Sequence, residues 1–377
     1  MSPDRPKILI VDDTIVYRRI LGEVLEGFPE VEVVGSAPHG RLALAKMEQT
    51  PADLVLLDLE MPEMDGLETL LELRKRYPET SVVMISGSNL RSASITVRAL
   101  ELGALDFLQK PEGRDPEASR AELRDHLRPL LRHLQTRINM QQGRGGRQEA
   151  AVPSFIAAPA PRPSEPVQRV QRLAPLPSRF DVVGIGISTG GPNALGEVIP
   201  HLPADLAVPV LLVQHMPPLF TASLAEQLAQ RSAVKVREAR DGEPILPGTV
   251  YIAPGGKHMV VRRRGDVDGG SLPIVGLNDN PPENSCRPSV DVLFRSLAAQ
   301  YDGNMLAVIM TGMGNDGCEG VRAMKRRGCH CLTQSESTCV VYGMPLAVDE
   351  AGLSDEQVPL GQMAHRIQSL VRKSRVS

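Results

Sequence analysis

A serine lies inside the glycine-rich stretch GIGISTGGPNAL, which runs from Gly184 to Leu195 between a short apolar run and a helical pattern. Turns of this kind either cradle phosphates or hold a nucleophile. Gly184, Gly186 and Gly190 give the spacing G-x-G-x-x-x-G, which is one residue too long for the dinucleotide fingerprint, and no lysine follows as a Walker loop requires. The start of the helix could still bind an anion, so a phosphate site stays an alternative.

The same stretch satisfies G-x-S-x-G, with Ser188 at its centre. A turn of this type lifts a serine above the edge of a sheet and directs helix N–H groups at a developing oxyanion. Ser188 could instead simply cap the following helix. A nucleophilic serine also needs a base and an acid that orients the base, so the interpretation depends on finding both.

Candidates for the base and the acid lie at the ends of other predicted strands. His215 ends the apolar run VPVLLVQH at the same predicted sheet edge as Ser188, and His258 is the second choice. Asp316 follows the strand MLAVIM through the turn TGMGNDG, although it could be a plain helix cap. The chain order Ser, His, Asp differs from the Ser, Asp, His order of α/β-hydrolases, so a different fold family with a similar turn is expected.

A second group of polar residues lies in the first third of the chain, again at the ends of predicted strands. Its members are Asp12, Asp13, Asp58, Ser86 and Lys110. Because ligands bind beyond the carboxyl ends of the strands in an open parallel sheet, these side chains should converge on one crevice. Clustered carboxylates repel one another unless a hard cation lies among them, which predicts a Mg²⁺ site. Taken singly, the aspartates could cap a helix and the lysine could be a turn residue.

Apolar strands alternate with helical patterns in both halves of the chain. The candidate strands are KILIVDD, VEVVGSA, DLVLLDLE, SVVMIS and ALDFLQK in the first half, and FDVVGIGI, VPVLLVQH and NMLAVIM in the second, where a hairpin is predicted around GTVYIAPGGKHMVV. Apolar strands separated by helices imply a parallel sheet covered on both faces. The predicted fold class is α/β, with two doubly wound parallel-sheet domains.

The segment 139–179 separates these halves. It contains seven prolines, three glycines and few large apolar residues, so it cannot form a core. We interpret it as a solvated, semi-rigid linker, although its excess of arginine could help it to dock on an acidic surface. The expected domains are therefore 1–138 and 180–377.

Composition excludes several functional classes. The net charge is −3, and the chain has no Trp and only 3% aromatic residues, so no nucleic-acid partner is expected. No long apolar run indicates a signal peptide or a membrane span, so no membrane insertion is expected. Five cysteines, an odd number, fit a reducing cytoplasm better than a disulfide framework. Cys329 and Cys331 are interpreted as buried thiols on a strand rather than as metal ligands.

Residues 5–135 resemble a response-regulator receiver domain, through the Asp12-Asp13 pair, the stretch LVLLDLEMPEMDGLE and the stretch ALDFLQKP. The resemblance implies a flavodoxin-like fold with Asp58 as phosphoacceptor. It implies that Asp12 and Asp13 join Asp58 as metal ligands and that Lys110 contacts the phosphoryl group.

The receiver resemblance also implies a switch. Ser86 corresponds to the hydroxyl that moves towards the phosphate, and Phe107 to the aromatic residue that moves with it. A phosphoryl group adds about −1.5 to −2 charges in a narrow crevice and can bias a surface between two states. By resemblance, the unphosphorylated receiver blocks the catalytic face.

Residues 180–370 resemble the chemotaxis methylesterase (CheB) family, with a Rossmann-like domain. The motifs are GISTGGPNAL, QHMPPLFTASLAEQL, DGEPILPGTVYIAPGGKHM, PSVDVLFRSLA, TGMGNDG and STCVVYGMP. The resemblance implies a catalytic triad of Ser188, His215 and Asp316. It also implies that Thr189 lies near the nucleophile and that the Met313 backbone N–H lines the oxyanion hole. One position departs from the family: Cys286 precedes RPSVD, where a polar residue or histidine is expected.

The implied function is a cytoplasmic, phosphorylation-activated serine hydrolase that removes methyl groups from glutamate methyl esters of chemoreceptors. The same chemistry would deamidate receptor glutamines. The implied partners are the cytoplasmic helices of the receptors and a chemotaxis histidine kinase; no cofactor is expected for the esterase reaction, and a monomer is expected. Two rival readings are a response regulator that acts by binding DNA and a hydrolase for small soluble esters.

Overall fold

A computed structural model of the 377-residue chain describes residues 5–87, 89–111, 116–143, 168–169, 177, 179–265 and 271–372. The chain divides into two compact units, residues 1–162 and 163–377, and each is described by itself. Across the described residues, no helix is both long enough and apolar enough to cross a membrane.

The first unit contains a parallel sheet of five described strands in the order β2-β1-β3-β4-β5. Its elements are β1 (Lys7–Val11), α1 (Ile15–Glu26), β2 (Glu32–Ala37), α2 (Gly40–Gln49), β3 (Leu54–Asp58), α3 (Gly66–Arg76), β4 (Ser81–Ser86), α4 (Leu90–Glu101), β5 (Asp106–Gln109) and α5 (Pro116–Gly143). Both β3 and β4 are buried along their whole length, as strands covered by helices on two faces must be. The strand order is that of flavodoxin-like folds, so the predicted fold is confirmed.

The second unit contains a sheet with the described strand order β6-β15-β14-β13-β7-β8-β10-β9, in which β6 alone runs antiparallel to its neighbour. Its elements are β6 (Gln168–Arg169), β7 (Val182–Ile187), α6 (Gly191–Val198), β8 (Val210–Gln214), α7 (Phe220–Arg231), β9 (Lys235–Glu238), β10 (Thr249–Ile252), β11 (His258–Gly265), β12 (Ser271–Asn278), α8 (Val290–Gln300), β13 (Met305–Ile309), α9 (Cys318–Lys325), β14 (His330–Gln334), α10 (Met344–Glu350), β15 (Glu356–Val358) and α11 (Leu360–Arg372). Short 3₁₀ turns follow α6 and β14. This architecture confirms the predicted α/β class.

The predicted antiparallel hairpin is confirmed, but it forms between β11 and β12 and not within the stretch GTVYIAPGGKHMVV. The stretch GTVYIAPGGKHMVV contains β10 and the start of β11, but these strands do not pair with each other. β10 is buried at all four positions and joins the parallel sheet between β8 and β9. β11 instead pairs antiparallel with β12, from the pair His258–Asn278 to the pair Gly265–Ser271. A fully buried strand gains more from two parallel neighbours than from one hairpin partner, so burial decided the pairing.

Most of the predicted linker, 139–179, lies outside the described residues. Where the structure does describe it, α5 continues to Gly143, beyond the predicted domain end at 138. Gln168 and Arg169 form β6 on the edge of β15, so part of the segment adds a strand to the second sheet. The domain boundaries at 138 and 180 stay a prediction.

Candidate active site

Three adjacent strands of the second sheet, β13, β7 and β8, bring the predicted triad residues to one edge. Ser188 directly follows β7, His215 directly follows β8, and Asp316 lies on the loop after β13. The His215 N–H donates to the carbonyl oxygen of Ile187 (3.2 Å), which holds the first two loops side by side. The chain order reverses at β7, because β8 lies on one side of it and β13 on the other. Ligands bind at such a reversal in doubly wound sheets.

Ser188 lies in a tight turn before α6. Its N–H donates to the carbonyl oxygen of Thr311 (3.0 Å), and its own carbonyl oxygen accepts from the N–H of Gly191 (2.7 Å). The residue that caps α6 is Gly190, in the left-handed conformation at φ 75°, and this fully described helix has no side-chain cap. The half-buried Ser188 is therefore not the cap of α6, so the alternative that it serves only as a helix cap is wrong.

The glycines before Ser188 have a packing role. A Cβ on Gly184 would lie 2.8 Å from Cε1 of Phe294, and one on Gly186 would lie 2.5 Å from Cγ1 of Val290. Both clashes are with α8, so glycine allows this helix to pack directly against β7. Close helix packing accounts for the pattern without a bound phosphate, and the geometry favours the nucleophile turn over the nucleotide alternative.

His215 and Asp316 form the closest contact between predicted site residues in this unit. The Nε2 atom of His215 lies 2.8 Å from Oδ2 of Asp316, and both side chains are largely buried. Burial alone would lower the pKa of His215, but hydrogen bonds with Asp316 and Cys286 raise it to about 9. Burial would likewise raise the pKa of Asp316, but the hydrogen bond and charge of His215 hold it well below its usual value. The pair is therefore stabilised as an imidazolium–carboxylate pair.

Asp316 is fixed by donors from the segment that leads into α8, and sequence reasoning missed all of them. They are Asn284 Nδ2 (2.9 Å), Ser289 Oγ (2.8 Å) and the backbone N–H groups of Val290 (2.7 Å) and Asp291 (3.1 Å). The carboxylate is thus oriented from several directions, and Asp316 is not the cap of α9, whose cap residue is Gly317. The stretch PSVDVLFRSLA, one of the motifs shared with the family, contains part of this segment. Nothing in its spacing along the chain indicated a contact with Asp316.

Gln214 is a second residue that sequence reasoning missed. It is the last residue of β8 and is 2% exposed. Its Nε2 donates to the carbonyl oxygens of Ser188 (3.0 Å) and His215 (3.2 Å). One buried amide therefore ties the nucleophile turn to the loop that carries the candidate base. The available signal was a polar residue at the end of the otherwise apolar run VLLVQ.

The loop that follows β13 packs against Ser188. A Cβ on Gly312 would lie 2.7 Å from the Cβ of Ser188, so only glycine allows this approach. The next residue is Met313, and among the described residues its N–H donates to no protein acceptor. Thr189 is buried, and its carbonyl oxygen accepts from the Thr311 hydroxyl (3.0 Å). The loop thus places a free backbone N–H beside the turn that carries Ser188.

His258, the second choice for the base, is fully buried and has both ring nitrogens engaged by the backbone. Its Nε2 lies 3.0 Å from the carbonyl oxygen of Pro281, and its Nδ1 accepts from the N–H of Ser289 (3.2 Å). These contacts define a neutral tautomer with no nitrogen left for a substrate. His258 therefore supports the loop around Asp316 and does not act as the base in this arrangement.

Cys286, the departure from the family pattern, lies close to the candidate base. It closes a tight turn in which Glu283 and Cys286 exchange backbone hydrogen bonds of 3.0 and 2.9 Å. Its side chain helps to raise the pKa of His215. The residue type at this position therefore affects the electrostatics of His215, although it does not replace a triad member.

The first unit has a site of its own at the carboxyl edge of its sheet. Asp12, Asp13 and Asp58 each offer a carboxylate oxygen within 4.8 Å of the others. Lys110 Nζ lies 2.9 Å from Oδ2 of Asp12 and 2.8 Å from Oδ2 of Asp58. Burial raises the pKa of Asp58 to about 6; the Lys110 hydrogen bond opposes this rise and the Asp12 charge adds to it. Three crowded carboxylates, two of them buried, fit a hard divalent cation such as Mg²⁺.

The predicted switch residues, Ser86 and Phe107, lie on β4 and β5, the two strands that follow β3 in the sheet. Ser86 ends β4, and its hydroxyl accepts from the Thr96 hydroxyl (2.7 Å) and donates to the Gly87 carbonyl oxygen (3.1 Å). The N–H of Lys110 donates to the Ser86 carbonyl oxygen (2.7 Å), so the two residues lie side by side. Phe107 lies on β5 and is only half-buried against the core. Movement of either residue on phosphorylation stays a prediction.

The Cys-His-Cys stretch is not a metal site in the described part of the chain, where the aspartates of the first unit form the sole candidate cluster. Cys329 and Cys331 are 2% and 0% exposed, and all five cysteines are free. Burial raises the pKa of Cys329 to about 12 and raises that of Cys331 well above its usual value, so both stay thiols. The interpretation as buried thiols at a strand is confirmed.

Comparison with known proteins identifies relatives for both units. A family model described as CheB methylesterase matches residues 183–367, and the response regulator receiver domain model matches residues 8–121. The chain is 42% identical over 367 residues to a protein-glutamate methylesterase/protein-glutamine glutaminase of Desulfotalea psychrophila, covering 97% of this chain and 98% of that protein. A protein of the same name from Trichodesmium erythraeum is 40% identical over 363 residues, covering 96% of this chain and 97% of the other.

Among solved structures, the CheB methylesterase catalytic domain of Thermotoga maritima is 40% identical, with a TM-score of 0.48, and the match covers 51% of this chain and 99% of that one. The curated relatives match this chain over nearly the full length of both proteins, at about 40% identity. Each relative therefore spans both of the regions that the two family models match. The chain therefore belongs to the CheB methylesterase family and carries a response regulator receiver domain ahead of the methylesterase domain.

Proposed function

We propose that this protein is a phosphorylation-activated esterase that hydrolyses glutamate methyl esters on the cytoplasmic helices of chemoreceptors. The observation that carries the proposal is the 2.8 Å contact between His215 Nε2 and Asp316 Oδ2, at the sheet edge where Ser188 directly follows β7. The curated relatives, which bear the same name and match nearly the whole length of this chain, support a glutamate methyl ester in a protein as the substrate.

In the proposed mechanism, the reactive form has a neutral His215, and its Nδ1 atom takes the proton of the Ser188 hydroxyl because Nε2 is already engaged by Asp316. Ser188 Oγ then attacks the ester carbonyl carbon, and the negative charge develops on the carbonyl oxygen. The Met313 N–H would donate a hydrogen bond to this oxyanion, and Thr189 would lie near the nucleophile. Asp316 holds the imidazole in one tautomer and stabilises the imidazolium that forms.

The tetrahedral intermediate collapses when the methoxy oxygen takes the proton from the imidazolium and leaves as methanol. A water molecule, deprotonated by His215, then attacks the glutamyl–Ser188 ester and regenerates the free serine. A glutamine side chain would pass through the same acyl-enzyme, with ammonia as the leaving group. We therefore propose glutamine deamidation as a second reaction of the same site.

We further propose that a chemotaxis histidine kinase supplies the phosphoryl group to Asp58. Asp12, Asp13 and Asp58 would hold Mg²⁺, which neutralises the charge that accumulates on the phosphoryl oxygens. Lys110, already paired with Asp58, would contact the phosphoryl group once it is attached. Rearrangement around Ser86 and Phe107 would then raise the activity of the esterase.

The test compares two substrates, because a hydrolase for small soluble esters is the main rival. Receptor membranes labelled in their methyl esters should release labelled methanol, and a small-molecule phosphodonor should increase the release by wild type but not by Asp58→Ala. Turnover of a soluble ester with no release from the receptor would favour the rival. Equal release with and without phosphodonor would contradict control by phosphorylation.

A further inference from the structure

Leu219, on the loop between β8 and α7, adopts a backbone conformation that leucine rarely takes. It is the residue before α7, with φ 73° and ψ −37°. These angles lie near the classic γ-turn, which is strained, and positive φ is a genuine outlier for a bulky side chain. Glycine would adopt the same angles without steric cost.

Burial does not account for this strain. The Leu219 side chain is 36% exposed, whereas the next residue, Phe220, is fully buried and anchors α7. The two residues before Leu219, Pro217 and Pro218, are also partly or largely exposed. The loop thus presents a short apolar surface, Pro217–Leu219, to solvent.

The conformation is imposed by the residues on either side. The loop after β10 packs so tightly on Pro217 that a Cβ on Gly255 would lie 2.3 Å from the Pro217 carbonyl carbon. On the other side, the Thr221 hydroxyl accepts from the Gly255 N–H (2.9 Å) and donates to Oε1 of Glu238 (2.6 Å). The backbone around Leu219 is therefore clamped, which fixes the point from which its side chain leaves the loop.

The clamped loop lies at the same edge of the sheet as the candidate active site. Leu219 follows His215 by four residues, on the loop after β8, at the edge of the sheet where Ser188 directly follows the neighbouring strand β7. Strained residues that the surrounding structure over-determines cluster at functional sites and ligand clamps. An exposed apolar side chain on a restrained backbone, at the same sheet edge as a hydrolytic site, suits recognition of an apolar group on the substrate.

We propose that Leu219 is a specificity-determining residue that packs against an apolar side chain on the substrate helix, next to the esterified glutamate. This inference rests on the proposed function, because only a helical substrate presents such a neighbour. Residues three or four positions from the glutamate lie on the same helix face and within reach. A small soluble ester has no such neighbour and would not use the contact.

The experiment measures kcat/KM for methylated receptor and for a small soluble ester with wild type, Leu219→Ala and a control, Leu246→Ala. Leu246 is 48% exposed and lies before β10, at the opposite edge of the same sheet. In Leu219→Ala, the ratio of receptor to soluble-ester kcat/KM should fall about tenfold, as expected for losing a buried leucine contact. The loss should appear mainly in KM. The control should keep the wild-type ratio.

A second variant, Leu219→Gly, separates recognition from packing. It should show the same fall in the ratio while its thermal unfolding midpoint stays level or rises, because glycine relieves the strain. An unchanged ratio in both Leu219 variants, or an equal loss on both substrates, would overturn the inference alone. A wild-type protein that hydrolyses the soluble ester but not the receptor would overturn the proposed function, and this inference with it.

Discussion

His215 presents Nε2, not Nδ1, to Asp316, at 2.8 Å from its Oδ2 atom. In the mechanism proposed above, Nδ1 is therefore the nitrogen that acts as a base towards Ser188. The serine proteases of the chymotrypsin type use the opposite arrangement, in which the aspartate accepts from Nδ1. The role of the acid is the same in both cases, because it fixes which nitrogen carries the proton.

Replacement of Asp316 should therefore change which nitrogen of His215 carries the proton. Asp316→Asn should lower kcat by up to about 10⁴, by analogy with serine proteases. The matched control is Asp355→Asn: this carboxylate is also buried and accepts from the N–H of Cys331 (2.7 Å), but it lies just before β15, at the opposite edge of the sheet from His215. A similar loss in both variants would show that the carboxylates matter for local folding rather than for the tautomer.

The pH dependence follows from the raised pKa of His215. An imidazolium cannot accept a proton, so kcat/KM should rise with pH towards about 9, the pKa of His215 in the free protein. Cys286 contributes to that rise, so Cys286→Ala should lower the pKa of His215 and move the rising limb to lower pH. Profiles of wild type and Cys286→Ala measured on the soluble ester would test this. Superimposable profiles would mean that the thiol has no electrostatic effect on the base.

His258 should matter for stability more than for chemistry. Because its two nitrogens hold Pro281 and Ser289, His258→Ala should cost about 1–3 kcal/mol in the free energy of unfolding. Its rate loss should be far smaller than that of His215→Ala, once both are measured below their unfolding transitions. The reverse order of rate losses would assign the base to His258.

The metal site can be tested through stability alone. Mg²⁺ should stabilise the first unit of the full chain against unfolding, by about 2.7 kcal/mol at a hundred times its Kd. Asp13→Ala should remove most of this effect, since it deletes one of three clustered carboxylates. The control is Glu30→Ala, an exposed carboxylate just before β2, at the opposite edge of the sheet. Equal stabilisation of both variants would exclude Asp13 as a ligand.

The triad residues and the aspartates could be located from sequence because each follows an apolar strand, and parallel strands end at a common edge. The pairing of β10 could not, because TVYI suits a hairpin and a parallel sheet equally well and only burial decides. Gln214 and Asn284 were missed because their contacts join segments far apart in the chain. The strain at Leu219 was equally hidden, since it arises from the packing of another loop.

The most direct test of the whole account is the release of labelled methanol from methylated receptor membranes by Ser188→Ala. Because covalent catalysis requires the hydroxyl, the account predicts a loss of several orders of magnitude, with an unfolding midpoint and circular dichroism spectrum like those of wild type. Near-normal release by a folded Ser188→Ala protein would contradict it, because the ester would then be cleaved without the serine.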